Sequence, residues 1–197
     1  MNSIHKVAAI ILAAGDSNRL GFPKQLLKWH GKTLIEFIID KAIRTKLNPI
    51  HVVLGANYNQ IVRTILRYPI RIIRNKRWQS GKASSIREGI SSLPDETQAV
   101  VLFVVDQPYL NDSLINALLQ IRLKTSAKII TPCVKEIQCN PVLFKRDTFE
   151  QLLMLRGDDG GKTIFKHFQV KWVNWKDNEV LVDIDAKEDL EVLIKRN

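Results

Sequence analysis

A chain of 197 residues, 45% hydrophobic and 25% charged, has the composition of an ordinary globular protein and is long enough for one buried α/β core, which excludes disordered and fibrous classes. Thirty Lys and Arg against 20 Asp and Glu give a net charge of +10, which points to anionic partners such as phosphates. The basic residues are scattered (Lys41, Arg44, Lys46, Arg63, Arg67, Arg122, Lys124) rather than gathered in a tail or an aromatic-interleaved stripe, which argues against specific nucleic-acid binding. No apolar run reaches the length of a membrane span, and the first one stops at Gly15-Asp16 without a cleavage-site pattern, so the expected location is the cytoplasm. The two cysteines, Cys133 and Cys139, fit small buried residues beside a loop better than a disulfide or a zinc site.

In chain order, Val7–Ala13 is a β-branched, uniformly apolar run that predicts a fully buried strand. Residues 33–46 place Leu34, Phe37, Ile38, Ala42 and Ile43 on one helical face. A strand at 51–54 ends in Gly55, a helix covers 57–67, a third strand 70–74 and a third helix 84–93. Residues 99–105 form an uninterrupted apolar run that ends at Asp106, the pattern of a central strand covered on both faces. Asn111 or Asp112 can cap the helix that runs to Lys124. Strands at 128–131 and 141–144, helices near 147–155 and 162–168, a strand at 170–175 and a helix at 187–195 complete the chain. The alternation predicts one domain over residues 1–197, a three-layer, Rossmann-like α/β fold with a mostly parallel central sheet. Ligands of such sheets sit beyond the carboxyl ends of the strands. The most unusual segments, 14–24, 55–57, 75–85 and 106–108, all follow strand ends.

The first of these carries the most chemistry. Ala13, Ala14 and Gly15 are small enough for the backbone to approach a ligand and offer N–H groups to phosphate, and Arg19 and Lys24 add two cations. No Gly-Lys-Ser/Thr follows, so it is not a Walker loop, nor is it the dinucleotide GxGxxG pattern. Asp106, at the exit of the central strand, needs a partner or a metal, and a hard carboxylate there suits Mg²⁺. The segment from Asn75 through Gly81 to Ser84 and Ser85 is small and polar; either serine can cap the following helix, and Trp78 can serve as a core anchor. Asp183 and Asp185 offer further carboxylates, although Asp185 also reads as the N-cap of the last helix.

The motifs LAAGxSxRxGxxK (12–24), NxxWxxGxxxS (75–85), DQP (106–108), NPVLF (140–144), GDxG (157–160) and DID (183–185) run in order across nearly the whole chain. Together they resemble the molybdopterin nucleotidyltransferases, and the molybdenum cofactor cytidylyltransferase branch most closely. The resemblance implies a nucleotidyltransferase fold and a Mg²⁺-dependent transfer of CMP from CTP to molybdopterin carrying molybdenum, with release of pyrophosphate. A molybdenum hydroxylase is the protein partner it implies.

In that scheme Arg19 and Lys24 hold the triphosphate, and Asp106 holds the metal with Asp185, or Asp183 in its place. Leu12, Ala13, Ala14, Gly15, Gly55, Asn75, Gly81 and Ser85 line the nucleotide pocket with those cations, while Asn140, Pro141 and Asp158 face the acceptor. Ala14 stands where the guanylyl-transferring branch usually has Gly, and one methyl group there favours a pyrimidine over a purine. The chain has Cys139-Asn140-Pro141 where the branch commonly has Gly-His-Pro, and Gly161-Lys162 in place of Ala-Arg; both changes fall on the acceptor half. Two other readings keep the same loops: transfer to another small phosphorylated acceptor, and a non-catalytic carrier of the molybdenum cofactor, which has no use for a metal–triphosphate clamp.

Overall fold

The alternating strands and amphipathic segments assemble, in a computed structural model that describes residues 7–194, into an eight-stranded sheet with helices on both faces. The elements are β1 (Val7–Ala13), the short hairpin β2 (Lys28–Trp29) and β3 (Lys32–Thr33), α1 (Leu34–Arg44), β4 (Ile50–Leu54), α2 (Tyr58–Ile65), β5 (Arg71–Arg74) and α3 (Lys82–Ser91). They continue as β6 (Ala99–Val104), α4 (Asp112–Lys124), β7 (Ile129–Val134), β8 (Ile137–Gln138), β9 (Val142–Lys145), α5 (Phe149–Leu153), β10 (Val170–Asn174) and α6 (Lys187–Ile194). The spatial order is β10-β7-β9-β6-β1-β4-β5, with β8 beside β7. β1 runs parallel to β4 and β6, β4 to β5 and β10 to β7, whereas β9 is antiparallel to both β6 and β7. The chain builds outward from β1 to β4 and β5, then returns through α3 to place β6 on the other side of β1. That reversal opens a crevice at the carboxyl ends of β1 and β6, the place where ligands of open α/β sheets bind.

Alternation along β1 divides the core. Val7, Ala9, Ile11 and Ala13 face one side, under Leu34, Ile38 and Ala42 of α1, Ile61 of α2 and Leu114 and Leu118 of α4. Ala8 and Ile10 face the other, under Ile86 and Ile90 of α3 and Phe149 and Leu152 of α5. Burying an Ile or Leu fully contributes roughly 1.5–3 kcal/mol, and Ile10, Ile11, Leu34 and Ile38 are all fully buried, so β1 is anchored from both faces. α1 begins at a capping box: Thr33 Oγ1 accepts from the Glu36 N–H, and Glu36 Oε2 accepts from the Thr33 N–H at 3.0 Å. For α4 the cap is Asn111, whose side chain accepts from the Leu114 N–H at 2.9 Å.

The departures from the sequence reading are local. The helix expected at 162–168 is a 3-10 stretch, Gly161–His167, and that near 147–155 is a 3-10 turn followed by the short α5. The β2–β3 hairpin turns through His30 (φ 46°) and Gly31 (φ 76°), two left-handed residues that suit a tight hairpin. Cys139 is buried, Cys133 is half-buried, and both are free thiols. Lys195, the end of the expected last helix, lies outside the described residues. Among the described residues no helix is long and apolar enough to cross a membrane.

Candidate active site

A cavity of about 610 Å³ opens at the crevice between β1 and β6. Leu12, Ala13, Ala14, Gly15, Arg19 and Lys24 line it from β1 and the loop that follows. Asp106 comes from the end of β6, Gly81 and Ser85 from the start of α3, Asn140 and Asp158 from the far half, and Asp183 and Asp185 from the segment before α6. Residues separated by most of the chain thus meet on one face because each ends a strand or leads into a helix there.

The loop is held from behind. Gln25, buried in the 3-10 turn Lys24–Leu26, donates from Nε2 to Ala13 O at 3.0 Å and to Gly15 O at 2.9 Å. Ala14 O accepts from the Ala56 N–H at 3.0 Å, and Ser17 Oγ accepts from the Lys24 N–H at 3.1 Å. Gly15 has ordinary backbone and open space where a Cβ would stand, so nothing in the protein itself requires glycine at that position. The room it leaves is on a cavity-lining residue.

Opposite lies a charged wall. Lys24 Nζ donates to Asp106 Oδ2 at 2.7 Å, to Asp185 Oδ1 at 2.9 Å and to Ile184 O at 3.3 Å. An ammonium has three N–H donors, and all three are engaged. Arg19, mostly exposed, meets Asp185 Oδ2 at 3.2 Å. Burial alone would pull the Lys24 pKa down, but Asp106 and Asp185 more than offset it and hold the ammonium above the usual lysine range. The hydrogen bond from Lys24 is the main influence holding Asp185 below the usual carboxylate range, with Arg19 adding to it. Asp183 is different: burial, then the charge of Asp106, pushes its pKa up to about 6, against the hydrogen bond it accepts from Gln107 Nε2 at 3.0 Å. The Ile184 N–H donates to Asp106 O at 2.9 Å and splices this segment onto the end of β6. Asp185 does not cap α6 with its side chain; Asp189, inside the first turn of that helix, reaches back with Oδ2 to accept from the Asp185 and Ala186 N–H groups at 2.8 Å each. The Asp185 carboxylate is thereby left to the cavity.

Three residues assigned to the pocket from sequence stand elsewhere. Asn75 is buried after β5, its Nδ2 donating to Ser84 Oγ at 2.8 Å and Ser85 Oγ at 3.0 Å while its Oδ1 accepts from the Arg77 N–H at 2.8 Å. Its side chain is consumed in fastening the β5–α3 loop. Gly55 lines a neighbouring cavity of about 760 Å³ that shares Asp16, Ser17, Asn18 and Trp78 with the first. A Cβ on Gly55 would come within 2.5 Å of Trp78 Cβ and 2.7 Å of Ala14 O, so this glycine is demanded by packing. Pro141 does not line the cavity, although Asn140 does. Neither serine caps α3; Gly81 (φ 99°) holds that position, and Asp158 Oδ1 approaches the Lys82 N–H at 3.4 Å. Sequence reasoning passed over Gln25, Gln79 and Lys82 as cavity residues. The signal for two of them was proximity, since Gln25 follows Lys24 and Lys82 follows Gly81.

Two carboxylates dominate the donor set on this wall. Asp106 and Asp185 supply hard oxygen atoms that already converge on one cationic nitrogen. Among the described residues no three His, Cys, Asp or Glu side chains form a ready-made cage. Two carboxylates suit an ion that keeps waters and takes phosphate oxygens, as Mg²⁺ does.

A mostly parallel sheet with a small-residue loop at its switch point, two cations and a carboxylate pair has the layout of the nucleotide-binding α/β class. The family model for the MobA-like NTP transferase domain matches residues 9–173, and the chain belongs to that family. A probable molybdenum cofactor guanylyltransferase of Geobacillus sp. (strain WCH70) is 25% identical over 199 residues, 97% of this chain and 100% of the relative. Nicotine blue oxidoreductase of Paenarthrobacter nicotinovorans is 34% identical over 114 residues, 57% of this chain and 55% of its own length. The manganese complex of Rv0371c from Mycobacterium tuberculosis H37Rv shares the fold, with a TM-score of 0.81 at 20% identity, covering 98% of this chain and 100% of that one.

Proposed function

We propose that residues 1–197 form one nucleotidyltransferase domain that transfers CMP from CTP, with Mg²⁺, to a small phosphorylated acceptor, molybdopterin carrying molybdenum, and releases pyrophosphate. The observation that carries this reading is the Lys24–Asp106–Asp185 contact beside the Gly15 loop, where phosphate-binding and cation-binding groups share one cavity.

In this reading the loop N–H groups and Arg19 take the triphosphate, and Lys24 lies next to it. Asp106 and Asp185 would hold the cation, which would neutralise charge on the phosphate oxygens. An acceptor oxygen approaches the α-phosphorus in line from the Asn140 and Asp158 side, and the new P–O bond forms as the bond to pyrophosphate breaks. No covalent enzyme intermediate is needed; the rate comes from positioning and from fixed charge around the developing pyrophosphate.

Support for CTP over GTP rests on Ala14, a buried residue of the cavity wall whose methyl takes up room a purine would need. The Geobacillus relative is named a guanylyltransferase, which makes base choice the sharpest question. Calorimetric titration with CTP and with GTP, each with Mg²⁺, answers it. Tighter CTP binding supports the reading. Preference for GTP overturns the base assignment, and binding of neither overturns the nucleotide assignment in favour of a cofactor carrier.

A further inference from the structure

Gln25 is 2% exposed, and it has an unusual hydrogen-bond balance. Both amide hydrogens serve the loop, on Ala13 O and Gly15 O. Its Oε1 is buried and has no hydrogen-bond partner among the described residues. A flipped amide would set Oε1 against two carbonyl oxygens, so the loop fixes the orientation. An unsatisfied buried acceptor costs on the order of 1–3 kcal/mol. The fold tolerates that cost to keep two donors on the loop backbone.

The consequence lies on the opposite edge of each peptide. In a trans peptide C=O and N–H point to opposite sides. With Gly15 O on Gln25 and Ala14 O on the Ala56 N–H, the N–H groups of Asp16 and Gly15 are turned away from those anchors. Neither N–H has a protein partner among the described residues, and both residues line the cavity. Successive free N–H groups of this kind form an anion-binding concavity.

We propose that Gln25 is a positioning residue that holds the Gly15 carbonyl back and so, beside the Ala14 O–Ala56 N–H anchor, presents the Asp16 N–H next to that of Gly15 to the triphosphate. The role rests on the nucleotide reading above and adds a residue to it. Gln25 carries no charge. It acts through the peptide planes.

Gln25→Met keeps the length and apolar stem and removes both donors. Removing the orphaned acceptor along with them should leave the thermal midpoint close to wild type. Affinity for CTP or GTP, whichever the wild type binds, should fall at least about tenfold, as expected when charge-assisted bonds to phosphate are misaligned. Affinity for the matching nucleoside should hardly change, because the loss belongs to the phosphates; a general packing defect would weaken both alike. A second readout uses the wild type alone: amide exchange at Gly15 and Asp16 should slow when the nucleotide is added. Triphosphate affinity within twofold of wild type in Gln25→Met, or exchange at these amides unmoved by bound nucleotide, overturns the role. A wild type that binds neither nucleotide overturns the nucleotide reading itself.

Discussion

The two walls of the main cavity are built in opposite ways. The loop after β1 offers backbone, tied from behind by Gln25 and Ala56. The wall facing it offers side-chain charge, with Lys24 and Arg19 lying on Asp106 and Asp185. A ligand can use the first wall without breaking anything there, so its donors need no reorganisation. It can use the second only by replacing ion pairs that already exist. The comparison teaches that preorganisation lies in the loop backbone after β1, whereas charge is stored between cations of that same loop and the carboxylates of Asp106, after β6, and Asp185, before α6.

The largest expected effect breaks the charged wall. Asp106→Ala should lower metal-dependent turnover by about 10²–10³-fold, the scale for losing a main electrostatic contributor. Unaltered metal dependence in steady-state assays would move the cation elsewhere. Lys24→Met comes next. It should weaken nucleotide binding about tenfold by removing one phosphate cation, and tighten Mn²⁺ binding without nucleotide by about as much, because the carboxylates lose the ammonium they now hold. Calorimetry with Mn²⁺ reads both, with Lys82→Met as the control for a cation that lines the same cavity but has no recorded contact with Asp106 or Asp185. Equal Mn²⁺ affinity in wild type and Lys24→Met would break the comparison at this wall.

Two glycines sharpen it at the other. A Cβ on Gly55 would overlap Trp78 and Ala14 O, so Gly55→Ala should destabilise by about 3 kcal/mol. A Cβ on Gly15 meets nothing, so Gly15→Ala should change stability by less than about 0.5 kcal/mol while weakening nucleotide binding. Urea unfolding and nucleotide titration of the pair should show opposite patterns.

The smallest effect lies outside both walls. His51 is buried on β4, and its Nδ1 lies 2.7 Å from Ser92 Oγ. Ser92 donates its one hydroxyl hydrogen to Gly89 O, so His51 Nδ1 is the donor in that contact. Burial, with Arg71 adding to it, pulls the His51 pKa down to about 4. Between pH 6.5 and 4 the unfolded chain therefore binds the proton and the folded chain does not, and stability falls as pH falls through that window. The loss should be about 1–3 kcal/mol. His51→Gln should remove that component of the acid dependence in urea unfolding at pH 7 and pH 4.5, without moving nucleotide affinity at pH 7.

The strand pattern was legible because buried strands are apolar runs: β1 and β6 stand where Val, Ile, Leu, Phe and Ala cluster, and β4 departs from that pattern at His51 alone. The Gly15 loop, Arg19, Lys24 and Asp106 were legible for a related reason, since each follows a strand end in an α/β alternation. What stayed hidden was partnership. Sequence offers nothing to show that Lys24 lies on Asp185, 161 positions away, or that Asn75 turns its amide onto two serines of α3. It also left Asp185 open as a helix cap, whereas its carboxylate lies on Lys24 and Arg19, and Asp189 of the first helical turn reaches back to the Asp185 and Ala186 N–H groups. The 3-10 stretch Gly161–His167 escaped for a further reason: it has helical periodicity over too few residues to separate the two helix types.

The central claim is nucleotidyl transfer at this cavity, and the measurement that tests it most directly is pyrophosphate release from CTP with Mg²⁺, with and without molybdenum-loaded molybdopterin. Release that requires the acceptor, and that Asp106→Ala lowers by about 10²–10³-fold, is the predicted result. No release under any pairing of CTP or GTP with that acceptor, from folded protein that binds the nucleotide, would contradict it.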